Sequence, residues 1–199
     1  MNIATIVLAA GSSSRLGRPK QLLDIQGQPL LCHCTKLALE ATPDNVIVVL
    51  GANEKPLREV VNTLPVKIVA NHFWKTGMGS SIKTGLNYIL QSDIAPDGII
   101  LMVCDQPALT SAHLRKLIDE FYQTKKPIIA SSYAGSGGVP VLFGRSFFSN
   151  LLLLGDDQGA KKIVSQFPSQ VALVEFSEGA LDLDTEEDYE KYLRMSNNE

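Results

Sequence analysis

Short apolar segments of strand length alternate along this chain with amphipathic segments of helical length. The apolar segments are rich in Ile and Val, and they lie at residues 3–9, 46–50, 66–70, 98–103, 127–131 and 171–176. Such runs are typical of strands that bury both faces in a parallel sheet. Apolar residues recur at three- and four-residue spacing in the segments 30–40, 54–63, 80–90 and 111–123. This alternation predicts a mostly parallel, doubly wound, Rossmann-like α/β sheet with right-handed crossovers.

The last third of the chain departs from this alternation. Residues 133–139 are rich in Gly and Ser and precede a strand-like segment at 139–143, which indicates a small antiparallel insertion or a substrate loop. A final helix is predicted at residues 186–194, with Thr185 as its N-cap and Asp188 completing a capping box. The length of 199 residues suits one domain, which we place at residues 1–195, followed by a frayed tail at 196–199.

Charge and cysteine content exclude several classes of protein. A formal net charge of -3 is not the broad basic field of a general nucleic-acid binder. No apolar run approaches the ~20 residues that span a bilayer, and no basic residue precedes the first apolar segment, as a secretory signal would require. The three cysteines, Cys32, Cys34 and Cys104, have no disulfide-framework spacing. We therefore expect a reduced cytoplasmic protein that binds neither nucleic acid nor membranes.

The turn after the first apolar segment is the first place at which such a sheet is expected to bind a ligand. Small residues at 9–14 are followed by three cations, Arg15, Arg18 and Lys20. The spacing fits neither a Walker A loop nor a dinucleotide fingerprint, and Pro19 disfavours a helix through Arg18. On residue types alone, an anion-binding loop and a solvated turn with incidental charges are equally open.

Four segments, in order, resemble nucleotidyltransferases that activate cofactor or sugar phosphates with a nucleoside triphosphate. Residues 8–23 read Leu-Ala-Ala-Gly-x-Ser-x-Arg-Leu-Gly-x-Pro-Lys-x-Leu-Leu, which resembles the family signature. Residues 71–81 resemble the nucleotide-recognition segment of the molybdenum cofactor cytidylyltransferases, and 104–107 (Cys-Asp-Gln-Pro) a metal-binding aspartate turn. Residues 182–188 resemble the C-terminal Asp-x-Asp-Thr-Pro-Glu-Asp, with Glu186 replacing proline. The resemblance implies a GT-A-like form of the predicted sheet.

The resemblance also implies roles for the residues of the nucleotide half-site. The backbone of Ala9, Ala10 and Gly11 would hold the base and ribose. Arg15 and Lys20 would bind the triphosphate and act in catalysis. Two residues of the second segment would meet the base: Gly79 by permitting close approach, and Ser81 by a hydrogen bond to a pyrimidine. The alternative for residues 77–81 is a loop and N-cap of the following helix, and both roles are compatible.

The same resemblance assigns Mg²⁺ to the aspartates. Asp105 would be a catalytic metal ligand, Asp184 the better second ligand and Asp182 the alternate. Carboxylates with phosphate oxygens are the ligands that Mg²⁺ prefers. The alternative for Asp105 is a turn cap before Pro107, and acids before a helix are stabilised by its dipole by ~0.3 to 1 kcal/mol.

The implied reaction is transfer of CMP from CTP to the phosphate of molybdopterin or its molybdenum form, with release of pyrophosphate. A molybdenum hydroxylase apoenzyme is the implied receiving partner. Ala10 stands where the guanylyltransferase branch has a second glycine, which favours CTP over GTP. The alternatives are a guanylyltransferase of the same cofactor, another sugar- or alcohol-phosphate cytidylyltransferase, and, from another class, a non-catalytic molybdenum cofactor carrier. Retention of Arg15, Lys20 and Asp105 together favours an enzyme over a carrier.

Overall fold

The computed structural model describes residues 2–133 and 135–196, and a seven-stranded sheet forms its centre. The strands are β1 (Ile3–Ala9), β2 (Asp24–Ile25), β3 (Gln28–Pro29), β4 (Val46–Leu50), β5 (Lys67–Ala70), β6 (Gly98–Val103), β7 (Ile128–Tyr133), β8 (Ser136–Gly144) and β9 (Val171–Glu175). The order in the large sheet is β5-β4-β1-β6-β8-β7-β9, and β2 pairs separately with β3. Only β8 runs antiparallel to its neighbours in the large sheet as described. The predicted α/β class, with a mostly parallel sheet and an antiparallel insertion, is confirmed.

Helices cover both faces of the sheet. They are α1 (Leu30–Ala41), α2 (Glu54–Val61), α3 (Met78–Gln91), α4 (Ser111–Thr124), α5 (Phe148–Leu152), α6 (Lys161–Gln166) and α7 (Glu186–Ser196). Buried residues of α1, α2, α4 and α7 belong to one apolar cluster, and those of α3, α5 and α6 to a second. Along β1, Val7 points into the first cluster and Ile6 into the second, because successive side chains of a strand alternate between faces. This division is the reason that the central strands appear in the sequence as continuous apolar runs.

The two edge strands differ from the prediction. Residues 66–70 and 171–176 were expected to be buried on both faces, yet Lys67 is exposed and Leu173 of β9 is 56% exposed. Both strands lie at the ends of the sheet, where fewer neighbouring elements cover them. The region 133–139 is also more regular than expected, because β7 continues to Tyr133 and β8 already begins at Ser136.

The capping box of the last helix forms as predicted. The Thr185 amide donates to Asp188 Oδ2 at 2.8 Å, and the Asp188 amide donates to Thr185 Oγ1 at 3.2 Å. The helix continues to Ser196, so the predicted tail begins at least one residue too early, and its remaining residues, 197–199, lie outside the described part. Among the described residues, every helix is too short or too polar to span a bilayer.

The sheet order brings the sequence motifs to one edge. β6 pairs in parallel with β1, so their carboxyl ends, followed by residues 10–13 and 104–107, lie side by side. β4 and β5 end at the same edge, and the amide of Ala52 donates to the carbonyl of Ala10 at 2.9 Å. This edge therefore carries the candidate site.

Candidate functional site

A cavity of about 350 Å³ opens at the carboxyl ends of β1, β5 and β6. Three of the four motif segments line it. They contribute Leu8, Ala10, Gly11, Ser12, Lys20 and Gln21 from the first, Trp74, Lys75, Gly77, Met78 and Ser81 from the second, and Cys104 and Asp105 from the third; Val103 at the end of β6 completes the lining. Apolar walls therefore surround a small set of polar groups, which is the usual composition of a small-molecule site. Five of the predicted site residues meet here.

Lys20 is the centre of the charged part of this site. Its Nζ donates to Asp105 Oδ2 at 2.6 Å and to Asp184 Oδ1 at 2.8 Å. Arg15 donates to the other carboxylate oxygen of Asp184 at 2.7 Å, but its side chain is 71% exposed at the rim. Burial opposes the charge on Lys20, yet the neighbouring carboxylates raise its pKa above the ordinary value. The ammonium therefore stays charged and bridges the two acids that the motif assigns to a metal.

Asp105 has one oxygen available for a ligand. Its Oδ1 is buried and has no hydrogen-bond partner among the described residues, whereas Oδ2 accepts from Lys20. A buried oxygen without a partner is costly unless a ligand or water satisfies it. No group of three or more His, Cys, Asp or Glu side chains forms a cation site in the part of the chain that the structure describes. The residues nevertheless fit a divalent cation held by two carboxylates and substrate oxygens.

The segment 182–184 is held against β6 by its backbone. The Leu183 amide donates to the carbonyl of Asp105 at 2.9 Å, and the Leu183 side chain is fully buried. The flanking Asp182 and Asp184 therefore stay near Asp105. Partial burial, followed by the charges of Asp105 and Asp184, raises the pKa of Asp182 from 3.8 to about 6. Partial burial opposes ionisation of Asp184, but hydrogen bonds and charge from Lys20 lower its pKa overall.

We expect Asp182→Asn and Asp184→Asn to change stability in opposite directions. The raised pKa means that folded Asp182 holds its proton between about pH 4 and 6, so stability falls as pH rises through that window. Asp182→Asn should therefore stabilise the fold by about 1 kcal/mol at pH 7.5, after allowance for solvent screening, and so raise Tm there. At pH 4 it should leave Tm unchanged. The lowered pKa of Asp184 stabilises the fold at neutral pH and is lost on acidification, so Asp184→Asn should lower Tm at pH 7.5. Thermal melts with a chelator present measure both, and equal shifts of the same sign would contradict the assignment.

The buried Gln21 side chain holds the backbone carbonyls of the loop that follows β1, a role that the sequence did not predict. Its side chain is 1% exposed, and Nε2 donates to the carbonyls of Ala9 and Gly11 at 3.1 and 2.8 Å. The Ala10 carbonyl is already bonded to the Ala52 amide, so this stretch of the loop has its acceptors occupied. The backbone N–H groups of residues 11–13 donate to no described residue. Successive free N–H groups can form an anion-binding concavity, so the loop has donors available for an anionic ligand.

We expect Gln21→Glu to weaken nucleotide binding strongly. A carboxylate of the same shape cannot donate to the Ala9 and Gly11 carbonyls, and leaving these buried groups unpaired costs ~1–3 kcal/mol. That cost lowers Tm, and the added negative charge beside the N–H groups of residues 11–13 repels the nucleotide phosphates, so the KM for the nucleotide should rise about tenfold or more at pH 7.5. Gln26→Glu is the control, because Gln26 is exposed and does not line the cavity. Equal effects of the two variants would exclude this role for Gln21.

Ala9 and Gly79, two further predicted site residues, also lie outside the lining of the cavity. Ala9 is buried, and it contributes the carbonyl that Gln21 holds. Gly79 faces residues 155–158: its amide donates to the Asp156 carbonyl at 2.8 Å, and an added Cβ would lie 2.2 Å from the Gly155 carbonyl oxygen. The close approach that Gly79 permits is thus to protein backbone. This contact fixes the N-terminal turn of α3, which carries Ser81.

A family model described as the MobA-like NTP transferase domain matches residues 5–171 of the chain. Nicotine blue oxidoreductase of Paenarthrobacter nicotinovorans is 35% identical over 58% of this chain and 55% of its own length. The purine catabolism protein PucB of Bacillus subtilis is 27% identical over 95% of both chains. A probable molybdenum cofactor guanylyltransferase of Bacillus mycoides is 30% identical over 63% of this chain and 62% of its own length. The chain thus spans about half of the first relative and nearly all of the second.

Two solved structures share the fold of this chain over almost its whole length. Rv0371c of Mycobacterium tuberculosis superposes with a TM-score of 0.82 at 31% identity, over 98% of each chain. The structure of the same protein in complex with manganese has a TM-score of 0.77 at 30% identity, over 98% of this chain and 99% of that one. The similarity thus extends well beyond the matched motifs to almost the whole chain.

Proposed function

The chain belongs to the MobA-like NTP transferase family, and on this premise we propose that it transfers CMP from CTP to the phosphate of a molybdopterin-type pterin. Family membership confirms the nucleotidyltransferase resemblance found in the sequence. The specific nucleotide and acceptor are our proposal. The observation that carries it is the Lys20 ammonium between Asp105 and Asp184 at one wall of a cavity that Ala10, Gly11 and Ser81 also line.

The proposed reaction is a direct displacement at phosphorus. An oxygen of the pterin phosphate forms a bond to the α-phosphorus of CTP. The bond from that phosphorus to the bridging oxygen breaks, and pyrophosphate leaves with the bonding electron pair. Negative charge grows on the leaving oxygens, so fixed cations accelerate this step more than they strengthen substrate binding. Lys20 and the free N–H groups of residues 11–13 supply those positive groups, with Arg15 at the rim.

Asp105 and Asp184 are the residues that would hold Mg²⁺, with Asp182 as the alternate. When bound, the ion neutralises charge on the phosphate oxygens. The unpaired, buried Oδ1 of Asp105 supports this assignment. Lys20 currently occupies one oxygen of each carboxylate, so we infer that its ammonium turns towards phosphate oxygens when the nucleotide complex forms.

The close packing of the cavity wall near Ala10 supports a pyrimidine base in the proposed substrate. Ala10 lines the cavity, and an added Cβ at Gly51 would lie 2.8 Å from Ala10 Cβ and 2.6 Å from Trp74 Cβ. The wall is therefore tightly packed, so the Ala10 methyl group cannot retract. A glycine in place of Ala10 would widen the site towards a purine, which is the physical basis on which we prefer CTP to GTP.

We expect CTP to raise the Tm more than GTP does in the presence of Mg²⁺. A ligand at 100 times its Kd stabilises the folded state by ~2.7 kcal/mol, which a thermal melt resolves readily. UTP and ATP complete the series. A larger shift with GTP would support the guanylyltransferase of the same cofactor instead.

The decisive experiment is pyrophosphate release, measured with each nucleoside triphosphate and Mg²⁺, with and without molybdopterin. Release that requires both CTP and molybdopterin is the expected result. Release with sugar or alcohol phosphates in place of the pterin would support another cytidylyltransferase. Pterin binding without release would identify a non-catalytic carrier. Because one relative is named an oxidoreductase, the oxidation of reduced nicotinamide cofactors is measured in parallel.

We further propose a cytoplasmic location and delivery of the product to a molybdenum hydroxylase apoenzyme. The three cysteines are free thiols, in keeping with a reducing compartment. Co-purification of the apoenzyme with the tagged chain tests the partner.

A further inference from the structure

Asn71 is a buried polar residue at the end of β5. Its side chain is 2% exposed, and its backbone amide donates to the Leu50 carbonyl at 2.7 Å. The side-chain Oδ1 accepts a hydrogen bond from the Phe73 amide at 2.9 Å. Because a backbone N–H can only donate, this bond fixes the orientation of the carboxamide. Its Nδ2 must therefore face the start of α3.

Asn71 Nδ2 donates to two adjacent hydroxyl groups. The acceptors are Ser80 Oγ at 2.8 Å and Ser81 Oγ at 2.9 Å. The Ser80 hydroxyl itself donates a hydrogen bond to the carbonyl of Gly77 at 2.7 Å, so this hydroxyl is satisfied within the protein. Ser81 has no acceptor for its proton among the described residues, and Ser81, unlike Ser80, lines the cavity. The Ser81 proton is thus the one left available to a bound ligand.

We propose that Asn71 is a positioning residue that makes the Ser81 hydroxyl a dedicated hydrogen-bond donor to the nucleotide base. A free serine hydroxyl can donate or accept, but one that already accepts from Asn71 presents its proton to the cavity. The site then selects a base with a lone pair at this point, a ring nitrogen or a carbonyl oxygen, which in cytosine is N3 or O2. A base N–H placed there would leave two donors facing each other, which a desolvated site penalises. This inference rests on the proposed nucleotide transfer and specifies how its base is recognised.

Ser80 and Ser81 form a matched pair for testing the inference. Both contact Asn71, but only Ser81 lines the cavity. We expect Ser81→Ala to raise the KM for CTP about tenfold, the effect of losing one hydrogen bond, with kcat within about twofold of the parent. Ser80→Ala should lower Tm, because Ser80 bonds to the Gly77 carbonyl, yet leave KM within about twofold.

Asn71→Asp tests the direction of the hydrogen bond with little change in shape. The carboxylate still accepts a hydrogen bond from the Phe73 amide. It also accepts a hydrogen bond from the Ser81 hydroxyl, so this hydroxyl no longer donates into the cavity. We expect a KM for CTP close to that of Ser81→Ala. Adding Ser81→Ala to Asn71→Asp should then change KM by less than about twofold, because the donor is already lost. A purely structural role for Asn71 would instead give effects that add.

Equal effects of Ser80→Ala and Ser81→Ala on KM would overturn the inference, as would additive effects in the double variant. If Asn71→Asp does not fold, the serine pair decides alone. If pyrophosphate assays show another nucleotide, or binding without turnover, the Kd of the preferred nucleotide replaces KM for the same variants. Failure of the cytidylyl proposal thus changes which nucleotide is measured, whereas failure of this inference removes the difference between Ser80 and Ser81.

Discussion

Asp105→Asn is expected to abolish most of the activity while leaving the fold intact. The amide keeps one oxygen acceptor for Lys20, and the Asp105 backbone carbonyl still accepts from Leu183. A neutral amide is, however, a poor ligand for a hard dication, and its Oδ1 position is the buried, unpaired one. Removing one electrostatic element of a transition-state site costs ~3 kcal/mol or more, so kcat should fall by about two orders of magnitude or more.

Turnover at saturating CTP, measured across a Mg²⁺ titration and alongside Tm, checks this expectation. Asp97→Asn is the matched control, because Asp97 lies just before β6, at the opposite end of the strand that precedes Asp105. If Asp105 only capped its turn, Asp105→Asn would change stability by ~1 kcal/mol and leave catalysis near normal. Parental turnover in Asp105→Asn would show that Asp105 is not a metal ligand, and the proposed mechanism would be wrong.

Lys20→Met is expected to lower kcat by about two to three orders of magnitude and to raise the KM for CTP much less. Methionine keeps most of the aliphatic stem but removes the charge that stabilises the leaving pyrophosphate, and that charge is greatest in the transition state. Arg15→Met should have a smaller effect, because the Arg15 side chain is 71% exposed. Arg18→Met is the control: Arg18 pairs with Glu186 and lies over the Tyr189 ring, away from the cavity.

The same variant has a defined effect on stability. The pKa of Lys20 is raised in the folded state, so its stabilising contribution is complete below the ordinary lysine pKa of about 10.4 and is lost only as pH rises towards the folded value. Across pH 6–9 the Tm deficit of Lys20→Met should therefore be constant. The deficit should shrink only in acid, below the ordinary aspartate pKa, where Asp184, whose pKa Lys20 lowers in the parent, takes up its proton. Unchanged kcat in both Lys20→Met and Arg15→Met would show that the loop is only a solvated turn.

Regular elements were predictable wherever consecutive residues reveal their environment. β1, β4 and β6 have the predicted bounds, because a strand buried on both faces needs an unbroken apolar run. The short β2–β3 pair and the helices α5 and α6 were missed. Elements of two to six residues are too short to display a period, and they form because the surrounding structure packs against them.

The candidate site was predictable where charged or acidic residues stand in an ordered motif. Lys20, Asp105 and Asp184 were identified in this way, and the structure places them in contact. Gln21 and Asn71 carried no such signal, since neutral amides are common on protein surfaces. Their importance lies in burial and in the direction of their hydrogen bonds, which link each of them to residues up to twelve positions away.

Local pattern was thus sufficient for the identity and approximate bounds of the long elements, whereas Lys20, Asp105 and Asp184 were singled out by the family resemblance of their segments. The order of the strands brings Lys20 to Asp184, 164 positions away, and it leaves the proton of Ser81 facing a cavity while that of Ser80 is held by the backbone. Periodicity is a property of neighbouring residues, so the chain displays it directly. A shared ammonium or a fixed hydroxyl proton depends on which distant segments the hydrophobic core packs together, and this becomes visible only in the folded molecule.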